Sequence, residues 1–138
     1  MQDLSQKEFS DFIKNGLVKG FPYFSDYIKI KDEILTIEIP SSKKTAIFWI
    51  TTQDLEITIG FDDRNGNCSW HTHMSLYSAY EPEDELRTSI ELISNIFNGI
   101  EILVCESDSI IYLTKNPEKE IENNENNRIL EFKKWTEI

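Results

Sequence analysis

Two alternating segments around Asn65-Gly66 constrain the fold more than any other part of the sequence. Apolar side chains recur at every second position from Leu55 to Phe61, a period typical of a β-strand with one buried face. Asn-Gly is a strong hairpin signal, because both turn residues tolerate a positive φ. The pattern therefore predicts a β-hairpin that ends near Met74 and turns at Asn65-Gly66.

A two-residue loop would fix the register of the whole hairpin. His71 and His73 would then lie on one face of the second strand, and Cys68 is expected on the opposite face. The predicted facing pairs are Arg64 with Asn67, Phe61 with Trp70, Gly60 with His71 and Thr58 with His73.

Two helices are predicted on either side of the strand-rich part of the chain. Ser5 and Glu8 have the spacing of a capping box, and apolar residues then follow at helical spacing until Gly16, where the helix is expected to end. A long helix is predicted over 82–98, because Pro82 suits a first helical turn and carboxylates follow it. Its apolar stripe comprises Leu86, Ile90, Ile93 and Phe97.

Strand signals fill most of the remaining chain. Segments 27–30, 35–39 and 46–50 precede the hairpin, and the last of them is so apolar that it is expected to be covered on both faces or to lie at the centre of a sheet. Segments 100–105 and 110–114 predict a second hairpin after the long helix. The sequence thus predicts an α+β fold: a single antiparallel sheet of about six or seven strands, with the N-terminal helix and the long helix packed on it.

The length of 138 residues predicts one domain, spanning 1–138. Segment 117–127 is rich in Glu and Asn, and Ile121 is its one apolar side chain, so we expect a mobile acidic loop or a frayed helix there. Apolar residues return after residue 128 and predict a last strand or short helix that docks back onto the domain.

The formal net charge of −11 bears on partners and location. It repels phosphate backbones and anionic lipids, so neither nucleic acid nor membrane is an expected partner, whereas a basic protein is. The first residues show no basic segment followed by an apolar one, as a secretory signal would, so a cytoplasmic location is expected. Acidic charge that serves only solubility is the alternative interpretation.

His71 and His73 are the candidate metal ligands. Two imidazoles on one strand face, with Asp62 or Glu56 placed diagonally by the hairpin register, could bind a divalent metal ion. The alternative is that these histidines pack or form hydrogen bonds on a partly buried face without metal. The two cysteines are expected as reduced core residues, and no nucleophile or phosphate-binding loop is evident, so catalysis is not favoured.

A cluster of aromatic and acidic residues is the candidate partner-binding surface. Two tyrosines precede a run of carboxylates at the start of the long helix, and exposed rings beside carboxylates suit a basic partner. Carboxylates at a helix start are also explained by the helix dipole alone. The residues are Tyr77, Tyr80, Glu81, Glu83, Asp84 and Glu85.

The segments 57–62 and 70–73, Ile-Thr-Ile-Gly-Phe-Asp and Trp-His-Thr-His, resemble small bacterial proteins encoded near polymorphic toxin genes, which are regarded as immunity-type proteins. The resemblance implies a non-catalytic protein that binds a cognate toxin and neutralises it, here through an acidic surface. A metal-dependent enzyme or metal-binding protein using His71 and His73 is the first alternative. A structural or oligomerising domain is the second.

Overall fold

The computed structural model describes residues 3–138, so the first two residues of the predicted domain lie outside the described range. Within that range no helix combines the length and the apolar composition needed to cross a membrane. The helices are α1 (Gln6–Gly20), α2 (Pro82–Phe97) and α3 (Pro117–Glu122). The strands are β1 (Ile28–Lys31), β2 (Ile34–Pro40), β3 (Ala46–Thr51), β4 (Thr58–Asp63), β5 (Cys68–His73), β6 (Ile102–Glu106), β7 (Ser109–Thr114) and β8 (Glu131–Lys133).

The α+β class, the antiparallel pairing and the two predicted helices are confirmed, but the strands form two sheets rather than one. The first sheet has the order β1-β2-β3-β4-β5, with the apolar strand β3 at its centre as predicted, and the second has the order β7-β6-β8. Leu103 and Val104, neighbours in β6, are both fully buried, so this strand is covered on both faces. It also has partners along both edges, because the short β8 pairs with it opposite β7.

Helix α1 begins where the capping box predicts. The Ser5 hydroxyl accepts a hydrogen bond from the Glu8 amide at 3.1 Å, and the Glu8 carboxylate accepts one from the Ser5 amide at 3.1 Å. The predicted end at Gly16 is wrong, since the helix continues to Gly20. A Cβ at Gly16 would lie 2.8 Å from Leu86 Cδ1, so this glycine permits the close approach of α2 and does not terminate the helix.

Aromatic side chains join the first sheet, α2 and the end of the chain. The rings of Phe48 in β3 and Phe97 in α2 have centroids 5.1 Å apart. Trp135, in a 3-10 helix that follows β8, stacks on Phe97 at 5.6 Å and meets Phe61 of β4 at 5.9 Å. The end of the chain therefore docks into the core, as its apolar residues predict.

The predicted acidic loop at 117–127 begins as a short helix, α3. The Asn116 side chain caps it by accepting a hydrogen bond from the Lys119 amide at 3.2 Å. Glu120 attaches it to β7, because its carboxylate accepts hydrogen bonds from Tyr112 at 2.8 Å and Thr114 at 3.2 Å. Polar contacts thus hold a segment that buries no apolar side chain.

The hairpin between β4 and β5 has a three-residue loop, so the predicted pairing of Arg64 with Asn67 is wrong. The Asp63 amide donates to the Asn67 carbonyl at 2.8 Å, and only Gly66 of the predicted turn pair takes a positive φ, 82°. The cause is the Asp63 carboxylate, which accepts hydrogen bonds from the amides of Asn65 at 2.9 Å and Asn67 at 3.0 Å.

The longer loop alone would shift every pair by one residue, but a β-bulge restores the predicted register. Asp62 pairs with Cys68, whereas the preceding Phe61 pairs with Trp70, so Ser69 is the extra residue on β5. The predicted pairs of Phe61, Gly60 and Thr58 are therefore confirmed. The bulge also turns Cys68 to the face that carries His71, where the Cys68 Sγ lies 3.7 Å from His71 Nδ1. Cys68 is consequently exposed. The predictions that it lies in the core and on the face opposite His71 are both wrong.

This arrangement predicts unequal labelling of the two cysteines. Iodoacetamide applied to the native protein at alkaline pH, where an exposed thiol forms the reactive thiolate, should modify Cys68 and leave the buried Cys105 unmodified. Peptide mass spectrometry measures the two sites, and a sample denatured in urea, in which both thiols react, is the control. Equal protection of both thiols in the native protein would contradict the bulge.

Candidate functional site

A row of three residues organises the outer face of the first sheet. Trp49 of β3 pairs with Gly60 of β4, which pairs with His71 of β5. The indole lies over the glycine: a Cβ at Gly60 would be 2.7 Å from Trp49 Cε2 and 2.7 Å from the Trp70 carbonyl oxygen. The Trp49 and His71 rings then lie at a centroid distance of 6.5 Å with 28° between their planes. The absent side chain at Gly60 thus allows the tryptophan to cover the sheet.

Asp62 is held by this tryptophan. The Trp49 Nε1 donates a hydrogen bond to Asp62 Oδ1 at 2.9 Å. Partial burial raises the pKa of the Asp62 carboxyl, and although the hydrogen bond from Trp49 opposes this shift, the nearby charges of Glu38 and Asp63 add to it. The carboxylate predicted as a metal ligand therefore has an indole as its hydrogen-bond partner.

His73 and Glu56 lie together, as the register predicts. The His73 Nδ1 is 2.8 Å from Thr58 Oγ1 and 3.5 Å from Glu56 Oε1. Ser75 also donates a hydrogen bond to Glu56 Oε1, at 3.0 Å. Polar side chains from the sheet and from the 3-10 helix after β5 thus form one hydrogen-bonded group with His73.

The predicted metal ligands share one face without forming a ligand cluster. Within residues 3–138, no group of three or more His, Cys, Asp or Glu side chains is arranged to hold a metal ion. The His71 and His73 rings have centroids 5.2 Å apart and planes at 81°. The contacts of Asp62 and Glu56 are those expected of a hydrogen-bonded sheet face, and metal binding by His71, His73, Asp62 and Glu56 stays a prediction.

Cys68 lies beside His71, as the nucleophile of a Cys–His pair would, but its thiol is not activated as a nucleophile. Burial raises the pKa of the Cys68 thiol, and the charge of Asp62 adds to this shift. The thiol therefore stays protonated at neutral pH, whereas nucleophilic catalysis requires the thiolate.

A second region lies at the start of α2 and presents exposed rings beside carboxylates. Tyr77 is 48% exposed and Tyr80 69% exposed, as the sequence predicts, and Leu76, which the sequence pattern does not single out, is 72% exposed. Asp84 forms an ion pair with Arg87. We call this region the aromatic–acidic surface; it comprises Leu76, Tyr77, Tyr80, Glu81, Glu83 and Asp84.

Glu85 differs from the other predicted partner-binding residues because it is buried, with 5% of its surface exposed. Its Oε1 accepts a hydrogen bond at 2.9 Å from the amide of Ile57, just before β4. Burial raises the pKa of the Glu85 carboxyl to about 7; the hydrogen bond from Ile57 lowers it, and the charge of Glu56 raises it further. Glu85 therefore links α2 to the first sheet and does not belong to the exposed surface.

The sequence did carry a signal for the burial of Glu85. The predicted apolar stripe of α2 is confirmed in part, since Ile93 is fully buried, whereas Leu86 and Ile90 are only partly buried. A second row, one residue earlier along the helix, is also buried and follows the helical spacing of four, three and four residues. It comprises Glu85, Ser89, Leu92 and Ile96.

Glu85 also lines a cavity of about 240 Å³ between the beginnings of α1 and α2. The buried Phe9 lies on the inner side of the cavity, and the exposed Leu55 and Tyr80 form its rim. Among the described residues, its lining includes carboxylates but no Lys, Arg or His. The lining is Asp3, Leu4, Phe9, Leu55, Tyr80, Pro82 and Glu85.

Replacement of Gly60 by alanine should destabilise the protein. The added Cβ would collide with the Trp49 ring and with backbone, and overpacking of this kind costs about 1–3 kcal/mol. The free energy of unfolding in urea, followed by tryptophan fluorescence, measures the loss. Gly20→Ala is the matched control, because a Cβ there would meet only Ile90 Cδ1 at an ordinary 3.9 Å. Equal stability of the two variants would contradict the packing of Trp49 over Gly60.

Replacement of Glu85 by glutamine should stabilise the protein most at alkaline pH. The folded pKa of about 7 lies above the ordinary 4.5, so the folded state binds the proton more tightly and wild-type stability falls as pH rises through this interval. The glutamine side chain cannot ionise but can still accept the Ile57 hydrogen bond. We expect the advantage of the Glu85→Gln variant over the wild type to grow by roughly 2–3 kcal/mol between about pH 5 and 8.

Urea unfolding at a series of pH values measures this difference. Glu91→Gln, a substitution at an exposed position of the same helix, is the control for the loss of one negative charge. A parallel response of the two variants to pH would contradict the raised pKa of Glu85.

Comparisons with known proteins assign no family and no function to this chain. No family model matches the chain, and no curated protein or solved structure matches it. The function must therefore be inferred from the residues of the chain itself.

Proposed function

We propose that this chain is a non-catalytic, cytoplasmic, immunity-type protein that binds a basic cognate toxin and neutralises it through the aromatic–acidic surface. One observation carries the proposal: two exposed tyrosines, Tyr77 and Tyr80, lie beside exposed carboxylates at the start of α2. The resemblance of the hairpin segments to immunity-type proteins implies the same class of function.

The exposed rings support a role in protein binding. Tyrosine offers a large apolar area with few rotatable bonds and is enriched among the residues that dominate binding energy at interfaces. Leu76 extends the apolar area from the same 3-10 helix as Tyr77. Three large exposed side chains within five residues of sequence form a local anchor for a partner.

The charges around the rings support a basic partner. Among residues 3–138, neither Glu81 nor Glu83 has an ion-pair partner, and Asp84 alone of these carboxylates is paired. A net charge of −11 steers a basic protein toward this surface and raises its association rate at low salt. Close contact with Lys or Arg would then compensate the carboxylates.

The polar face of the first sheet gives less support to a catalytic role. The Cys68 thiol is held in its protonated form, and Asp62 and Glu56 form hydrogen bonds with Trp49 and Ser75. Binding without catalysis therefore accounts better for the two surfaces.

The proposal requires a toxin gene beside the gene for this chain, and binding and rescue with the product of that toxin gene test it. Wild-type protein should form a complex with that toxin and restore the growth of cells that express it. Tyr80→Ala should weaken the complex by roughly 30-fold, because a central aromatic contact is worth about 2 kcal/mol. Isothermal titration calorimetry measures the affinity, and colony counts measure the rescue.

A pair of charge reversals separates a local contact from a net-charge effect. Glu81→Lys and the exposed Glu122→Lys on α3 change the net charge equally, but only the first lies on the aromatic–acidic surface. Glu81→Lys should weaken binding much more than Glu122→Lys. The proposal fails if the toxin forms no complex, or if the two reversals weaken binding equally.

A further inference from the structure

The cavity between the beginnings of α1 and α2 combines apolar walls with a buried carboxylate. Leu4, Phe9 and Pro82 supply apolar surface, and the exposed Leu55 and Tyr80 stand at the rim. Glu85 lines the same cavity although only 5% of its surface is exposed. A ligand that suits both features needs an apolar stem and a cationic end.

The structure gives Glu85 a hydrogen bond but no compensating charge. The Ile57 amide is the one hydrogen-bond donor to the Glu85 carboxylate. Within residues 3–138, no basic side chain lines the cavity or forms an ion pair with Glu85. A buried carboxylate without a cationic partner is costly, because desolvation is not repaid by an opposite charge. A cation that enters the cavity would remove that cost.

We infer that this cavity receives one lysine or arginine side chain of the partner protein, with the alkyl stem against Leu4, Phe9 and Pro82 and the cation at the Glu85 carboxylate. The inference rests on the proposed function for the identity of the partner. Tyr80 joins the two regions, since it belongs to the aromatic–acidic surface and also to the rim of the cavity.

The size of the cavity suits a single side chain. Its volume of about 240 Å³ exceeds that of an apolar protein cavity of about 150 Å³ that binds benzene. Long basic side chains commonly lay their methylene groups along apolar surface and direct the charge to a polar group. A second, more open recess shares Leu4 and Pro82 with the cavity and adds Glu83, beside which the basic residues that flank the inserted one would lie.

Protonation of Glu85 should control this binding. The titratable groups that face Glu85 are Asp3 in the segment before α1, Tyr80 before α2, and Glu56 before β4, and none of them carries a positive charge. A bound cation favours the ionised carboxylate, so binding should be tighter above a pH of about 7 than below it.

A titration with n-butylammonium, a model of the lysine side chain, tests the cavity without any partner. Carbon-13 NMR of the Glu85 carboxyl reports both binding and its pKa. We expect saturable binding in the millimolar range, a lowered Glu85 pKa, and an affinity at least about tenfold higher at pH 8 than at pH 5.5. 1-Butanol, which has the same stem without the charge, should leave the pKa unchanged.

Three variants assign the effect. Glu85→Gln should abolish the preference for butylammonium over butanol, Tyr80→Ala should weaken butylammonium binding, and Glu91→Gln should behave as the wild type. An unchanged Glu85 pKa in saturating butylammonium, or an equal affinity of Glu85→Gln, would overturn the inference. A toxin complex that Glu81→Lys weakens but Glu85→Gln does not would overturn this inference alone. Butylammonium binding without any toxin complex would overturn the proposed function and leave a cation-binding cavity.

Discussion

The pairing of β4 with β5 decides which side chains enter the core and which form the outer face. Because β3 holds β4 on its other edge, a slip of one residue would exchange the two faces of β5, turning His71 inward and Trp70 outward. The loop favours such a slip, because the Asp63 carboxylate stabilises three residues between the strands and not two. The bulge at Ser69 cancels it. Both the packing of the core and the row of Trp49, Gly60 and His71 depend on this compensation.

The parts of the fold that the sequence predicts are those whose causes are local. The capping box at Ser5 and the period-two pattern of β4 each involve neighbouring residues, and both are confirmed. The second sheet depends on a contact between distant segments, since β6 pairs with β8: the apolar residues after 128 predict a last strand or short helix, but no local pattern predicts its partner. Likewise, the three-residue loop and the bulge each shift the register of the hairpin by one residue, and the two shifts cancel only in the folded hairpin. Counting residues across Asn65-Gly66 therefore predicts the pairs beyond Phe61 correctly but places Cys68 on the wrong face.

Glu85 marks the same limit at the candidate site. In the sequence it resembles Glu83, since both are carboxylates in the first turn of a helix, where the dipole favours negative charge. Their environments differ because α1 and the start of β4 cover only one side of α2. Glu83 remains exposed, whereas Glu85 accepts the hydrogen bond of Ile57. The face of a helix that becomes buried is set by tertiary packing, and here the packing selects a carboxylate.

A carboxylate at this position opposes folding at neutral pH, because its ionised form must give up water for a single amide donor. Glutamine would accept the same hydrogen bond without that cost. Residues that break the rules of stable folding concentrate at functional sites, where stability is exchanged for recognition. Glu85 lines a cavity whose rim includes the exposed Tyr80, so the costly buried charge and the exposed ring occupy one place on the molecule. A basic side chain that entered the cavity would neutralise Glu85 and contact the Tyr80 ring, which connects a carboxylate that opposes folding to the proposed function.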